Sequence, residues 1–218
     1  MTIAIINGYD ELANYLIQCG ANTYHTLKDG KNLLHVAALK GRFQMIPKLL
    51  GEDGSLLNQQ TSSGKTPLYY SCQKSYLLTT ETLLLNGARV DIPDVNGVLP
   101  IHIACFRQSL LIVNSLCRYD VDIEATTRHG LTPLLFACHF KDWEVVNMLL
   151  QNGADVNHSP LNTSPLYTAV KNNRFYIIKV LLRNGAKMDP KTKFLIEKII
   201  QNYLKNLNKK ILKWRSLI

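Results

Sequence analysis

No window of the 218-residue chain approaches eighteen uninterrupted apolar residues, which excludes a hydrophobic helical membrane span. The opening MTIAIINGYDEL has no basic start before its short apolar run and turns acidic at once, so it does not read as a secretory signal. Cysteine occurs five times, an odd number in a chain whose 46% hydrophobic content can bury a core without disulfides. Reduced thiols in a cytoplasmic or nuclear compartment are therefore expected. No two cysteines stand in a C-x-x-C pair of the kind that begins a zinc scaffold.

A complete phosphate cradle is also missing. Gly64-Lys65-Thr66 ends like the loop G-x-x-x-x-G-K-[ST], but Gln59 stands where that loop needs its first glycine. Pro67 follows at once, where a flexible cradle leading into a long helix would not place it. No Ser/His/Asp set, carboxylate pair or glycine-rich cradle stands out elsewhere, so neither an enzyme nor any cofactor is expected.

Acid is scarce at one end. From Pro190 to Ile218 there are eight cations against the single acid Glu197, which accounts for +7 of the net charge of +9. The rest of the chain is nearly neutral. A basic segment on a balanced body suggests a separate job for that segment.

What is present is a period. SGKTPLYYSC is followed by NGVLPIHIAC and HGLTPLLFAC, with Gly64, Gly97 and Gly130 spaced 33 apart. Pro67, Pro100 and Pro133 keep that spacing, and so do Cys72, Cys105 and Cys138. DGKNLLHVAA stands one period earlier and NTSPLYTAV one period later. A second landmark closes the intervening apolar runs: CGAN, DGSLLN, NGARVD, YDVDIE, NGADVN and NGAKMD. Glycine opens each unit at a tight turn needing positive φ. Threonine then caps a helix that proline can start, because the missing N–H would be unpaired there anyway. Val145, Val146, Leu149 and Leu150 show the helical spacing of the second half of a unit, which Gly153 ends. A pair of short helices cannot bury its apolar face alone, so the units must stack.

These landmarks resemble the ankyrin-repeat family over residues 1 to about 190. The resemblance implies an all-α solenoid of stacked helix-turn-helix units with β-turn or hairpin loops. Six units are expected, at about 1–27, 28–61, 62–94, 95–127, 128–160 and 161–190, followed by a basic amphipathic helical tail at 191–218. Gly64-Lys65-Thr66 then becomes a unit's turn and helix start. Lys31, Val98 and Leu131 take the place of Lys65 in other units. His35 and His102 fall at the family's T-P-L-H position, which implies structural hydrogen bonds between neighbouring units. His102, Cys105, Cys138 and His139 invite a zinc site, but the cysteines repeat at a small-residue position and read as a ladder of buried hydrophobes. No metal is expected.

The resemblance further implies a non-enzymatic module that binds protein on a concave surface of projecting turns and first helices. The matching positions here are Lys28, Lys31, Lys40, Ser63, Lys65, Lys74, Val95, Val98, Phe106, Arg107, Arg128, His129, Leu131, His139, Phe140 and Lys171, with Asp29 the main acid among them. Cations with aromatic or apolar interruptions point to an acidic or phosphorylated protein segment as partner, not to a small-molecule substrate, and to a monomer. A substrate-recruiting or regulatory segment of a larger system such as a ubiquitin ligase is an alternative.

Both ends depart from the pattern. Met1 is expected inside the first helix, leaving Ile3, Ile5 and Ile6 partly bare, as an abbreviated cap or a piece of a longer protein would. At the other end Asp189-Pro190 reads as N-cap and first helical residue. Ile196, Ile200, Tyr203, Leu207, Ile211, Trp214 and Ile218 recur every three or four residues, with lysines between. A capping helix or helix pair is expected, broken near Asn206 and Asn208. An anionic membrane surface or a calmodulin-like protein is the alternative partner for this tail. Nucleic acid ranks last, since no reading motif accompanies the charge.

Overall fold

The computed structural model describes residues 1–50, 54–158 and 163–215, and among them there are thirteen α-helices and no strand. They run in pairs: α1 (Thr2–Asn7) with α2 (Asp10–Gln18), α3 (Leu33–Lys40) with α4 (Ile46–Leu50), and α5 (Pro67–Gln73) with α6 (Leu77–Leu85). Then come α7 (Pro100–Phe106) with α8 (Leu110–Leu116), α9 (Pro133–His139) with α10 (Trp143–Gln151), and α11 (Pro165–Lys171) with α12 (Phe175–Arg183). The long helix α13 (Pro190–Arg215) follows.

The local chemistry of the helix starts is as the sequence predicts. The side chains of Thr66, Thr132 and Ser164 accept from the backbone N–H groups of Tyr69, Leu135 and Tyr167 at 3.2, 3.2 and 3.0 Å, each with proline next in sequence. Such a cap satisfies an amide that the helix itself leaves unpaired. Leu99 precedes α7 and has no capping side chain. There His102 Nδ1 accepts the Leu99 N–H at 3.1 Å, a different amide from the one a capping side chain would pair.

First helices pack on first helices, α1–α3–α5–α7–α9–α11, and second helices on second helices, α4–α6–α8–α10–α12. The seam is made of small or fully buried side chains, among them Ala37, Ala38, Ser71, Cys72, Ala104, Cys105, Ala137 and Cys138. The cysteines are free thiols, and burial pushes Cys72 up to about 12 and raises Cys105 and Cys138 as well. Leu83, Leu116, Leu149 and Leu181 fill the core from the second-helix side.

The turns are joined as a ribbon. Each closes on itself, as in Thr61 N–H to Lys65 O at 3.0 Å and Asp94 N–H to Val98 O at 3.0 Å. Each is also tied to its neighbour, by Ser62 N–H to Asp29 O at 3.0 Å, Val95 N–H to Ser63 O at 3.1 Å and Arg128 N–H to Asn96 O at 2.9 Å. Gly64 has φ +77°, and a Cβ there would lie 2.7 Å from Val95 N, so both the left-handed backbone and the close approach require glycine.

Two expectations about the ends are corrected, and a third holds for two of its three residues. Met1 stands just before α1 as its N-cap residue, not within the helix. Ile5 is wholly buried against the stack, while Ile3 and Ile6 are exposed. Helix α13 continues unbroken through Asn206 and Asn208. Asparagine is only a modest helix former, and with neither glycine nor proline nearby nothing offers the chain a different conformation. The start of α13 repeats the first-helix pattern. Asp189 accepts from Thr192 N–H at 2.8 Å, and Ser164 Oγ donates to Asp189 at 2.8 Å, so α13 packs on α11 as the next first helix would. Thr192 is buried there, whereas Phe194 and Ile200 are exposed. Ile218 lies outside the described residues.

Candidate partner-binding surface

The turns and the ends of the first helices place many of the sequence-predicted residues in two neighbourhoods and a row along the helix ends. The first neighbourhood is cationic. Lys65 Nζ lies 5.2 Å from the Tyr69 ring centroid and 6.0 Å from that of Tyr70, and Lys31 Nζ lies 5.7 Å from Tyr70. A lysine held over an aromatic face keeps its charge in a narrower range of positions than a free one. Lys31 is also paired with Asp29; their hydrogen bond holds Asp29 below the usual carboxylate range and raises Lys31. Burial, with the Asp94 carboxylate alongside, raises the Tyr69 phenol, so its hydroxyl keeps its proton. Asp94 is itself engaged in its turn, accepting from Asn96 and Val98 N–H at 2.8 and 3.0 Å.

The two T-P-L-H histidines knit the turns to the helices beneath. His35 Nδ1 accepts from Asn32 N–H at 3.1 Å while Nε2 donates to Lys65 O at 3.0 Å. His102 Nε2 donates to Ala125 O and Leu131 O at 3.0 and 3.1 Å. Both rings are fully buried and their hydrogen bonds suit the neutral form. Burial lowers each to about 4.

The second neighbourhood is an aromatic cleft of about 530 Å³ between α7, α9 and α11. Phe106, Leu131, Leu135, Phe136, His139, Phe140, Tyr167 and Lys171 line it, with Thr163, Thr168 and Asn172. The rings meet edge to face: Phe106 and Phe140 at 5.1 Å and 86°, Phe106 and Phe136 at 6.3 Å and 75°. His139 packs on Phe140 at 5.2 Å, and its backbone carbonyl accepts from Arg174 Nε at 3.0 Å. Five predicted residues are thus brought together here: Phe106, Leu131, His139, Phe140 and Lys171.

A row of equivalent positions runs along the ends of successive first helices, Lys40, Lys74, Arg107, Phe140 and Asn172, and its last two members belong to the cleft. Its three cations are exposed. Lys28, Val95, Arg128 and His129 are exposed on the turns and do not line the cleft. The contributions of Tyr70 and Phe136 to this face escaped sequence reasoning. Each follows the T-P-L-H position, which Val36, Ile103 and Thr168 fill in other units. That alternation between aliphatic, aromatic and polar types was the available signal.

Comparison with known proteins gives a concordant picture. The family model for ankyrin repeats in three copies matches residues 1–94, 78–160 and 101–193. The phosphocholine transferase AnkX of Legionella pneumophila is 32% identical over 97 residues, covering 43% of this chain and 10% of that protein. The target of rapamycin complex 2 subunit AVO2 of Saccharomyces cerevisiae is 30% identical over 84 residues, covering 38% of this chain and 20% of that protein. A transient receptor potential cation channel subfamily A member 1 homolog of Caenorhabditis elegans is 33% identical over 88 residues, covering 40% of this chain and 7% of that protein. The similarity therefore spans a fifth or less of each of these relatives.

Proposed function

The chain belongs to the ankyrin-repeat family, whose repeats mediate contacts between proteins, and on that premise we propose that it captures an acidic or phosphorylated segment of a partner protein. The observation that carries the reading is a pair of cationic features on successive units: the exposed row Lys40, Lys74 and Arg107 at the ends of stacked first helices, and, in the turn that opens α5, Lys65 held over Tyr69 and Tyr70. Cations fixed on a preorganised scaffold attract an acidic chain and lose little freedom when it arrives. The free cysteines accord with a cytoplasmic or nuclear site of action. The same surface would serve a recruiting or regulatory segment of a larger assembly, a ubiquitin ligase among them. Co-purification of a ligase subunit would mark that role.

The test is a peptide-display selection against the whole chain, followed by affinity measurement at low and high salt. Acid-rich sequences should be enriched and their binding should weaken as salt screens the charges. The triple charge reversal K65E/K74E/R107E should abolish capture; unchanged affinity overturns the reading.

A second reading rests on α13, where Phe194 and Ile200 are exposed among exposed lysines. An amphipathic basic helix of this kind binds anionic lipid surfaces. Salt-sensitive sedimentation with phosphatidylserine vesicles, lost in the variant F194E/I200E, would support it, and no sedimentation would overturn it.

A further inference from the structure

We propose that the cleft between α7, α9 and α11 is the anchor subsite of this surface, seating one aromatic side chain of the partner segment beside an acidic residue that meets Lys171. The proposal rests on the acidic-segment reading and adds where the segment is gripped.

A local departure in the backbone helps to shape the cleft. Helices α5, α7 and α11 are each followed, two residues on, by a left-handed residue: Ser75, Gln108 and Asn173. Helix α9 is not. Phe140 instead leaves it in an extended conformation, φ −99° and ψ −167°. Its ring stands perpendicular to that of Phe106. The result is a set of ring edges and faces open on one side, and Phe106 retains 43% of its surface in solvent. Aromatic guests suit such a lattice because quadrupoles favour edge-to-face approach.

Size and charge narrow the occupant further. About 530 Å³ falls within the usual range of ligand sites, about 300–1,000 Å³, and exceeds what a single ring fills. A ring together with its own stretch of backbone fits better than a ring alone. Among the described residues no carboxylate lines the cleft, while Lys171 does, and Arg107 follows Phe106 in the cationic row. An aromatic residue flanked by acids is complementary to that arrangement. Binding energy in interfaces concentrates in a few aromatic and arginine side chains seated in pockets that the partner desolvates.

The experiment titrates the full chain with two capped synthetic peptides, Glu-Glu-Phe-Glu-Glu and Glu-Glu-Ala-Glu-Glu, followed by amide NMR. The phenylalanine peptide should bind at least tenfold more tightly and shift the amides of Phe136, Phe140 and Tyr167. Two variants remove the subsite by different means: Thr168→Trp fills the cleft, and Phe106→Ala strips its exposed wall. Whichever retains a native-like spectrum should bring the two peptides to equal affinity. If both peptides bind the unaltered chain equally and K65E/K74E/R107E abolishes both, the anchor subsite is refuted while the acidic-segment reading stands. If neither peptide binds, both fail.

Discussion

Acidification should destabilise this array through two histidines. His35 and His102 are buried and neutral, and each is lowered to about 4 by burial. In the unfolded chain a histidine titrates near about 6.5. The folded values lie below the unfolded ones, so the unfolded state binds more protons between about pH 6.5 and 4. Stability is then full above the unfolded value and falls as pH drops through that window. By pH 5 the linkage relation gives a loss of about 2 kcal/mol per histidine, or about 4 kcal/mol for both. Carboxylates titrate mostly below this range. The assay is urea denaturation by circular dichroism at pH 7.5 and pH 5.0, comparing the natural chain with His35→Leu/His102→Leu. Leucine is chosen because Leu135 fills the same place in another unit. The double variant should be less stable at pH 7.5, since Lys65 O loses the Nε2–H donor of His35 and Leu131 O loses that of His102. It should nevertheless lose about 4 kcal/mol less than the natural chain on going to pH 5. An identical pH dependence in the two proteins would refute the assignment of this proton uptake to the histidines.

Glycine should matter most where turns touch. Gly153→Ala meets open space at φ +92° and should cost about 1–2 kcal/mol from the left-handed backbone alone, whereas Gly64→Ala should cost more, because its Cβ also strikes Val95 N at 2.7 Å; equal losses in urea denaturation would contradict this. Alkylation with mass spectrometry should label exposed Cys19 in the native protein and reach Cys72, Cys105 and Cys138 only after unfolding. Thr132→Ala should cost about 1 kcal/mol by removing the cap on Leu135 N–H. Asp189→Ala removes the acceptor of Thr192 and Ser164, and amide exchange at Thr192 should accelerate well before exchange in α9 does.

The parts of the structure legible in the sequence are those whose causes are local. Gly64, Thr66 and Pro67 announce a turn, a cap and a first helical turn within four residues, and each does what its chemistry requires. The 33-residue recurrence of Cys72, Cys105 and Cys138 identifies the seam, because only small side chains fit between closely stacked helices. Tyr70 and Phe136 were harder to place. Their sequence position is that of a core residue, and their place on the candidate face depends on lysines and rings supplied by neighbouring units. The course of α13 past Asn206 was misjudged because asparagine weakens a helix without ending it.

By itself the sequence determined the repeat, the helix starts and stops of the inner units, and the surplus of cations after Pro190. These follow from bonds and torsions spanning a few residues, repeated until stacking is the only way to bury the apolar faces. Only the tertiary structure decided that Phe106, Phe136 and Phe140 enclose a cleft with Lys171 at its edge, and that α13 takes the place of another first helix. Both depend on how one unit meets the next, a relation set by packing over distances that no local pattern encodes.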